Sequence, residues 1–289
     1  MLTWTLQQAP GCLAVRTAGP AGGTPVVLWH GFFQDGRVWA SLLERLDHAE
    51  IAEIRWIAAD LPGHGQSAAL RLAPLGDQAW PRLVSLIDRS LESLIACPPV
   101  IAGYSFGARA AAHWIGHSPL LRQVGLQGAL LESAHPGLPP ADRPPRLHQD
   151  LARAQQLLAR GVAEFADDWS QLPLFASQQQ VPAAWLAAQR AVRLQQQAAG
   201  LADHLAALGT GTMPLLDALP APACRTTLLV GELDQAYAQL GQRWQRAWPA
   251  AALVAIQGAG HNVHLERPEA WWRQLLQLLA DQQGRKRLD

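Results

Sequence analysis

Short apolar runs alternate with segments of helical periodicity along most of this chain, and this alternation constrains the fold more than any other feature. Each run is short enough for a strand and almost wholly apolar, which is typical of a parallel sheet covered by helices on both faces. A parallel neighbour also requires a crossover, and the helical segments supply it. The sequence therefore predicts an α/β fold with a mostly parallel central sheet. Strands are predicted at 26–29, 54–59, 99–103, 128–131, 226–230 and 253–256, and helices at 38–46, 80–94, 106–116, 236–248 and 268–282.

The alternation stops in one long segment, from about residue 135 to residue 219. This segment is rich in Ala, Gln, Leu and Arg and has helical stretches near 147–160 and 183–208, but no convincing strand. The simplest interpretation is a helical insertion in a single α/β domain. We therefore expect a core formed by residues 1–134 and 220–289, with residues 135–219 as a helical cap.

The composition excludes several classes of partner. The 23 basic and 23 acidic residues cancel, which argues against binding to nucleic acid or to a membrane surface. No stretch reaches the ~20 apolar residues of a membrane span, and the N-terminus lacks the basic start and apolar run of a secretion signal. Three cysteines without metal-ligand spacing indicate a reducing compartment and no metal site. We expect a soluble, cytoplasmic protein.

The sequence Gly-Tyr-Ser-Phe-Gly, centred on Ser105, matches the GxSxG pattern and lies between a predicted strand and a predicted helix. A sharp strand-to-helix turn exposes the serine hydroxyl, and glycines are needed on either side because side chains would collide with the neighbouring backbone. The alternative is a serine that only caps the helix. The context favours Ser105 as a nucleophile or base.

A serine hydroxyl needs an imidazole to take its proton, and an acid to orient that imidazole. Two histidines follow the insertion, and His261 lies in the loop directly after the last predicted strand, whereas His264 enters the final helix. Asp234 and Glu232 are the candidate acids. Asp234 is favoured because it stands further out on its loop. The predicted catalytic residues are thus Ser105, Asp234 and His261.

Two backbone N–H groups are candidates for binding an oxyanion. One belongs to Phe106, which follows the serine and begins a helix, where the helix dipole favours negative charge. The other belongs to Phe32, in the loop after the first predicted strand. His30 and His64 are interpreted as residues that brace these loops.

The motifs and their order resemble the α/β-hydrolase superfamily from about residue 26 to residue 282. A closer resemblance rests on five segments: Gly-Tyr-Ser-Phe-Gly-Ala-Arg, His-Pro-Gly-Leu, Phe-Ala-Asp-Asp-Trp, Gly-Thr-Gly and Gly-His-Asn-Val-His-Leu-Glu-Arg-Pro, which begin at residues 103, 135, 165, 209 and 260. Together they resemble the 2-succinyl-6-hydroxy-2,4-cyclohexadiene-1-carboxylate synthases of menaquinone biosynthesis. That family keeps the hydrolase residues but eliminates pyruvate from a cyclohexene substrate.

The resemblance implies roles for further residues. Arg109 matches an arginine that holds a substrate carboxylate, and Tyr104 and Trp169 match pocket residues. Two cap arginines also contact substrate in this family, and Arg146 and Arg190 are the best matches. Arg153 and Arg160 are expected on the helix surface. The implied partner is a small-molecule carboxylate, and the implied chemistry uses no cofactor.

The same serine, acid and histidine would also serve a hydrolase that cleaves an ester or C–C bond through an acyl-enzyme. A third hypothesis is a binding protein that has kept the fold and lost the catalytic activity. The intact set of serine, acid and histidine disfavours this hypothesis. Fold and catalytic set alone do not separate the lyase from the hydrolase.

Overall fold

The computed structural model describes residues 2–46, 48–74, 76–216, 219 and 221–285, with side chains described as far as residue 280. Within these residues the strands form a single sheet in the order β1-β2-β4-β3-β5-β6-β7-β8. Pairing is antiparallel for β1 with β2 and for β2 with β4, and parallel elsewhere. The strands are β1 Thr5–Gln7, β2 Val15–Ala18, β3 Pro25–Trp29, β4 Arg55–Ala59, β5 Val100–Tyr104, β6 Gly128–Glu132, β7 Arg225–Gly231 and β8 Ala252–Ile256.

Helices cover both faces of this sheet and fill the segment between β6 and β7. The helices are α1 Arg37–Arg45, α2 Ala79–Leu91, α3 Phe106–His117, α4 Pro119–Val124, α5 Arg143–Ser170, α6 Ala183–Leu194, α7 Ala198–Leu208, α8 Gln235–Ala247, α9 Val263–Glu266 and α10 Pro268–Arg285. Short 3₁₀ segments lie at Ala49–Glu53, Gly65–Ser67, Gly76–Gln78, Pro140–Asp142 and Pro173–Gln180. No described helix is long and apolar enough to cross a membrane.

The predicted α/β fold is confirmed, and all six predicted strands are present with ends shifted by at most one residue. The two N-terminal strands were not predicted. Both strands are short. Every residue of Thr5–Gln7 is exposed, and the polar Arg16 and Thr17 interrupt Val15–Ala18, so neither strand gives an apolar run in the sequence. These two strands supply the antiparallel edge of the sheet.

The insertion is helical, with no strand among its described residues, but its helices differ from those expected. The predicted helix 183–208 is two helices, which end and begin on either side of Gln195–Gln197. The predicted helix 147–160 extends over Arg143–Ser170 and is broken at Gly161, which has φ 80° and ψ 172°. The expected start of the second core segment, residue 220, lies outside the described residues.

Alternate residues of the central strands pack into two hydrophobic layers, one on each face of the sheet. In β3, Val27 and Trp29 join one layer with Trp80 and Trp114. Val26 and Leu28 of the same strand join the other layer, which is built around Trp39, Trp56, Trp271 and Trp272. Because both faces of these strands are buried, the strands appear in the sequence as continuous apolar runs.

The carboxyl ends of the parallel strands lie at one edge of the sheet, so the loops that follow them meet there. Ser105 follows β5, Asp234 follows β7 and His261 follows β8. The insertion reaches the same edge, because Trp169 of α5 and His204 of α7 pack against Phe32 in the loop after β3. The fold thus places the candidate catalytic residues between the sheet and the insertion.

Candidate active site

Ser105 occupies a strained turn between β5 and α3, with φ 51° and ψ −109°. This left-handed φ is uncommon for a residue other than glycine. Its N–H donates to the carbonyl oxygen of Glu132 on the neighbouring strand, at 2.8 Å. A Cβ at Gly103 would lie 2.6 Å from the carbonyl oxygen of Gly107. The turn therefore requires the glycines of the GxSxG pattern and directs the serine side chain into a cavity.

His261 links Ser105 to Asp234. Its Nδ1 lies 2.7 Å from Oδ2 of Asp234 and its Nε2 lies 3.1 Å from Oγ of Ser105. A carboxylate only accepts hydrogen bonds, so this arrangement assigns the proton to Nδ1 and leaves Nε2 free to accept the serine hydroxyl proton. His261 is 2% exposed, and its carbonyl oxygen accepts a hydrogen bond from Oγ of Ser133 at 2.7 Å.

The structure brings Asp234, and not Glu232, to the imidazole. Asp234 is buried, and its Oδ1 caps α8 by accepting the N–H of Tyr237 at 3.2 Å. Glu232 is exposed and accepts the N–H of Gly258 at 3.0 Å. His264 lies away from the serine, where its Nδ1 contacts the buried Glu132 carboxylate at 2.9 Å.

The two residues predicted to supply the oxyanion donors line the same cavity as the serine. Phe106 is the first residue of α3, so its N–H has no partner within the helix. The loop that carries Phe32 is braced by two histidines: His64 Nε2 accepts the N–H of Phe33 at 3.2 Å, and His30 Nε2 accepts the N–H of Leu61 at 2.9 Å. Burial lowers the pKa of His64 to about 3, which keeps the ring neutral and able to accept.

One cavity joins most of the predicted site residues. Asp234 stands behind His261 and is outside the lining. The predicted residues that line the cavity are Phe32, Tyr104, Ser105, Phe106, Arg109, Arg146, Trp169 and His261. Residues that the sequence analysis did not assign to the site, His135, Arg153, Arg193, His204 and Tyr237, line it as well.

Arg109 is buried in this cavity with no carboxylate partner among the described residues. Its Nη1 contacts the carbonyl oxygen of Leu208 at 3.4 Å and the sulfur of Met213 at 3.6 Å. The guanidinium carbon lies 5.0 Å from the centre of the Phe106 ring. Burial lowers the pKa of Arg109 to about 10, so the group stays charged near neutral pH. It is a buried cation with no ion-pair partner among the described residues.

Arg193, not Arg190, is the α6 arginine that reaches the cavity. Arg193 is 6% exposed, and its Nε has no hydrogen-bond partner among the described residues. Its guanidinium carbon lies 5.9 Å from the centre of the Phe33 ring and 5.7 Å from the centre of the Phe175 ring. Arg190 lies outside the cavity, and its Nη1 pairs with Oδ1 of Asp167 at 2.6 Å. No sequence signal selects Arg193, because the burial of Gln189 and Arg193 on one face of α6 is visible only in the structure.

The arginines of α5 divide between cavity and surface. Arg146 lines the cavity, and its Nε donates to Oδ1 of Asp150 at 2.9 Å. Nη1 of Arg153 lies 3.8 Å from the same oxygen, and Arg153 also lines the cavity although its side chain is 39% exposed, so it is partly on the surface as expected. It stands one turn beyond Asp150 on the same helix face. Arg160 lies on the surface as expected, paired with Glu164 and Asp168.

Comparison with known proteins relates this chain to one family. The sequence profile of the Alpha/beta hydrolase family matches residues 26–274. The 2-succinyl-6-hydroxy-2,4-cyclohexadiene-1-carboxylate synthase of Yersinia pseudotuberculosis is 30% identical over 263 residues, covering 89% of this chain and 88% of the relative. The structure of MenH from S. aureus superposes with a TM-score of 0.82 at 27% identity, covering 93% of this chain and 98% of that chain. An esterase from Thermogutta terrifontis, at 24% identity, TM-score 0.74 and coverage of 97% and 98%, shares the fold.

The geometry predicts how the catalytic set responds to substitution. Ser105→Ala and His261→Ala should each lower kcat by roughly 10²–10⁴-fold, the range for removing a positioned general base. The double variant should be little worse than either single one, because the residues act as a unit. Steady-state kinetics and melting curves of the purified variants check this.

Asp234→Ala and Glu232→Ala form the matched pair for the acid. Asp234→Ala should lower kcat strongly, while Glu232→Ala should stay near wild type because that carboxylate faces solvent. The reverse ranking would contradict the assignment of Asp234.

Proposed function

The chain belongs to the Alpha/beta hydrolase family and, within it, to the 2-succinyl-6-hydroxy-2,4-cyclohexadiene-1-carboxylate synthases, and we propose that it catalyses the reaction of that name. In this reaction pyruvate is eliminated from 2-succinyl-5-enolpyruvyl-6-hydroxy-3-cyclohexene-1-carboxylate, a step of menaquinone (vitamin K2) biosynthesis. One observation carries the proposal: the cavity that holds Ser105 and His261 also holds buried arginines without carboxylate partners among the described residues.

Those arginines suit a substrate that bears several carboxylates. A guanidinium binds a carboxylate through two parallel hydrogen bonds, and this pairing is among the strongest available to a protein. We assign Arg109 and Arg193 to substrate carboxylates, since neither is neutralised by a described carboxylate. Arg146 is a third binding residue, which shares the buried carboxylate of Asp150 with Arg153.

In the proposed mechanism, Ser105 and His261 act as the base. Nε2 of His261 takes the hydroxyl proton, and Oγ of Ser105 removes a proton from a ring carbon of the substrate. The electron pair left on the ring forms the new double bond as the C–O bond to the enolpyruvyl group breaks. His261 returns the proton to the leaving group, which departs as pyruvate. Asp234 stabilises the imidazolium between these two transfers.

The amides of Phe32 and Phe106 stabilise the charge that develops during proton removal. That charge spreads from the ring carbon towards a carboxyl or carbonyl oxygen of the substrate, where two fixed N–H donors bind it most strongly. The helix dipole of α3 adds to the effect at Phe106. The reaction proceeds without an acyl-enzyme and without a cofactor.

The insertion, residues 135–219, is assigned the role of a cap over this chemistry. It contributes Trp169, Arg146 and Arg193 to the cavity, while Tyr104 comes from the core. A cap that excludes water strengthens the electrostatic interactions inside the cavity. The three cysteines are free, which agrees with an enzyme that acts in the cytoplasm.

Pyruvate release tests the proposed function. The purified protein, given the enolpyruvyl substrate, should release one pyruvate for each diene formed. Lactate dehydrogenase coupling measures the pyruvate, and the ultraviolet absorbance of the conjugated diene measures the ring product. Absence of pyruvate together with hydrolysis of simple aryl esters would contradict the lyase and favour a serine hydrolase.

Substitution of the arginines tests the assignment of substrate carboxylates. A hydrogen bond to a charged group is worth ~1.5–3 kcal/mol, so Arg109→Ala and Arg193→Ala should each lower kcat/KM roughly ten- to hundredfold. Arg→Lys at either position should impair nearly as much, because the two-pronged geometry is lost.

Arg190→Ala and Arg160→Ala are the controls for this prediction. Both side chains lie outside the cavity in surface ion pairs, so kcat/KM should remain near wild type. A larger loss for Arg190→Ala than for Arg193→Ala would contradict the assignment of Arg193.

A further inference from the structure

Two residues of the cavity have no part in the mechanism above. His135 begins the His-Pro-Gly-Leu segment after β6, and Tyr237 lies in the first turn of α8. Both line the cavity that holds Ser105, and their rings are edge-on neighbours with centres 6.4 Å apart. Each side chain presents a polar atom that has no hydrogen-bond partner among the described residues.

The hydrogen bond of His135 fixes its tautomer. Its Nδ1 lies 3.0 Å from the backbone nitrogen of Gly137, which can only donate. Nδ1 is therefore unprotonated, and the neutral ring carries its proton on Nε2. Burial lowers the pKa of His135 to about 3, with Arg109 and Arg146 acting in the same direction, so the ring stays neutral. The Nε2–H group has no acceptor among the described residues.

Tyr237 presents a second neutral donor. Its N–H is bound to Asp234 and its ring lies 4.4 Å, centre to centre, from the ring of His261, so the side chain is held in place. The hydroxyl has no hydrogen-bond partner in the part of the chain that the structure describes. Burial raises the pKa of Tyr237 and outweighs the opposing effect of Arg109, so the hydroxyl keeps its proton.

Arg109 stands close enough to act electrostatically on both groups, and no hydrogen bond among the described residues supplies either donor with an acceptor. Asp150 is the one carboxylate among the described lining residues. Its Oδ1 is shared by Arg146 and Arg153, and its Oδ2 accepts the N–H of Gly211 at 3.1 Å. Three donors thus line a cavity whose one described carboxylate is already bound to Arg146, Arg153 and Gly211, and an anionic oxygen of a ligand would supply the acceptor that they lack.

We propose that His135 Nε2–H, Tyr237 O–H and the Arg109 guanidinium bind a single substrate carboxylate, an arrangement that we call the carboxylate clamp. The clamp rests on the proposed function, because it names the residues by which the same site holds its substrate. The neutral donors add hydrogen bonds without adding a second buried charge, which would cost desolvation. They also select against analogues, because a ligand without the carboxylate leaves buried donors unpaired.

Two substitutions remove the neutral donors and little else. Tyr237→Phe keeps the ring against His261. His135→Asn keeps an oxygen near the position of Nδ1 to accept the Gly137 N–H, but removes the Nε2–H group. Each should raise KM roughly ten- to hundredfold while kcat and the melting temperature stay close to wild type. His135→Gln, which restores an N–H near Nε2, should raise KM less than His135→Asn.

The control is His148→Asn, at an exposed histidine of α5, which should leave KM within about twofold of wild type. The clamp is overturned if Tyr237→Phe and His135→Asn also stay within about twofold, which is below the effect of any hydrogen bond to a charged group. A fall in kcat at unchanged KM would also overturn it, since that pattern marks a role other than ground-state binding.

Failure of the clamp and failure of the proposed function give different results. Normal pyruvate release in every variant at unchanged KM contradicts the clamp alone. Absence of pyruvate release from the wild-type protein contradicts the proposed function. The wild-type protein and the two variants are then compared by calorimetry with pyruvate and succinate as probes. Binding that the wild-type protein shows and both variants lose supports the clamp, and binding that is unchanged in the variants overturns it.

Discussion

The fit of the Ser105 turn against β3 is the contact on which the rest of the site depends. A Cβ at Gly107 would lie 2.1 Å from the carbonyl oxygen of Trp29, so the first turn of α3 can approach the end of β3 only as glycine. This approach sets Phe106, the first residue of α3, beside the end of β3, where the loop that carries Phe32 begins. The parallel register of β5 to β8 then delivers Asp234 and His261 to the same edge. The strained serine is tolerated because the surrounding sheet fixes both sides of the turn.

A second constraint is electrostatic. Burying a cation without a counter-ion costs several kcal/mol even after the protein relaxes. Arg109 and Arg193 are two buried cations of the cavity for which the described residues provide no ion-pair partner. Aromatic rings offset part of this cost, since a guanidinium over a ring gains ~0.5–2 kcal/mol. The ring of Phe106 lies beside the guanidinium of Arg109, and the rings of Phe33 and Phe175 lie beside that of Arg193. The carboxylates of the proposed substrate would relieve the remaining cost, which would link burial of the arginines to affinity for that substrate.

The sequence was sufficient for the core and for the meeting of Ser105, Asp234 and His261, but not for the insertion. Ser105, Asp234 and His261 follow strand ends, and parallel strands leave little freedom in where such residues meet. The insertion has no such rule, because a side chain on a helix reaches the cavity or the solvent according to the rotation of that helix. Arg190 and Arg193 lie one turn apart on α6. A small rotation of this helix about its axis therefore decides which of the two side chains faces the cavity. The cavity position of Arg153 was hidden for the same reason, whereas the predicted end of its helix at residue 160 coincides with the break at Gly161.

The clamp residues show a further limit of pattern reading. His135 was recognised only as part of a segment, because its tautomer depends on a backbone N–H two residues away. Tyr237 carries no motif of its own, and its place in the cavity follows from the way Asp234 caps α8. Both are residues whose chemistry becomes visible only after the fold has placed their neighbours.

The central claim is that Ser105 removes a proton and never carries an acyl group. Intact-mass spectrometry of the protein, quenched at intervals during turnover of the enolpyruvyl substrate, tests this directly. The account predicts the unmodified mass at every time point while pyruvate accumulates. An adduct on Ser105 that forms and decays at the rate of turnover would contradict it.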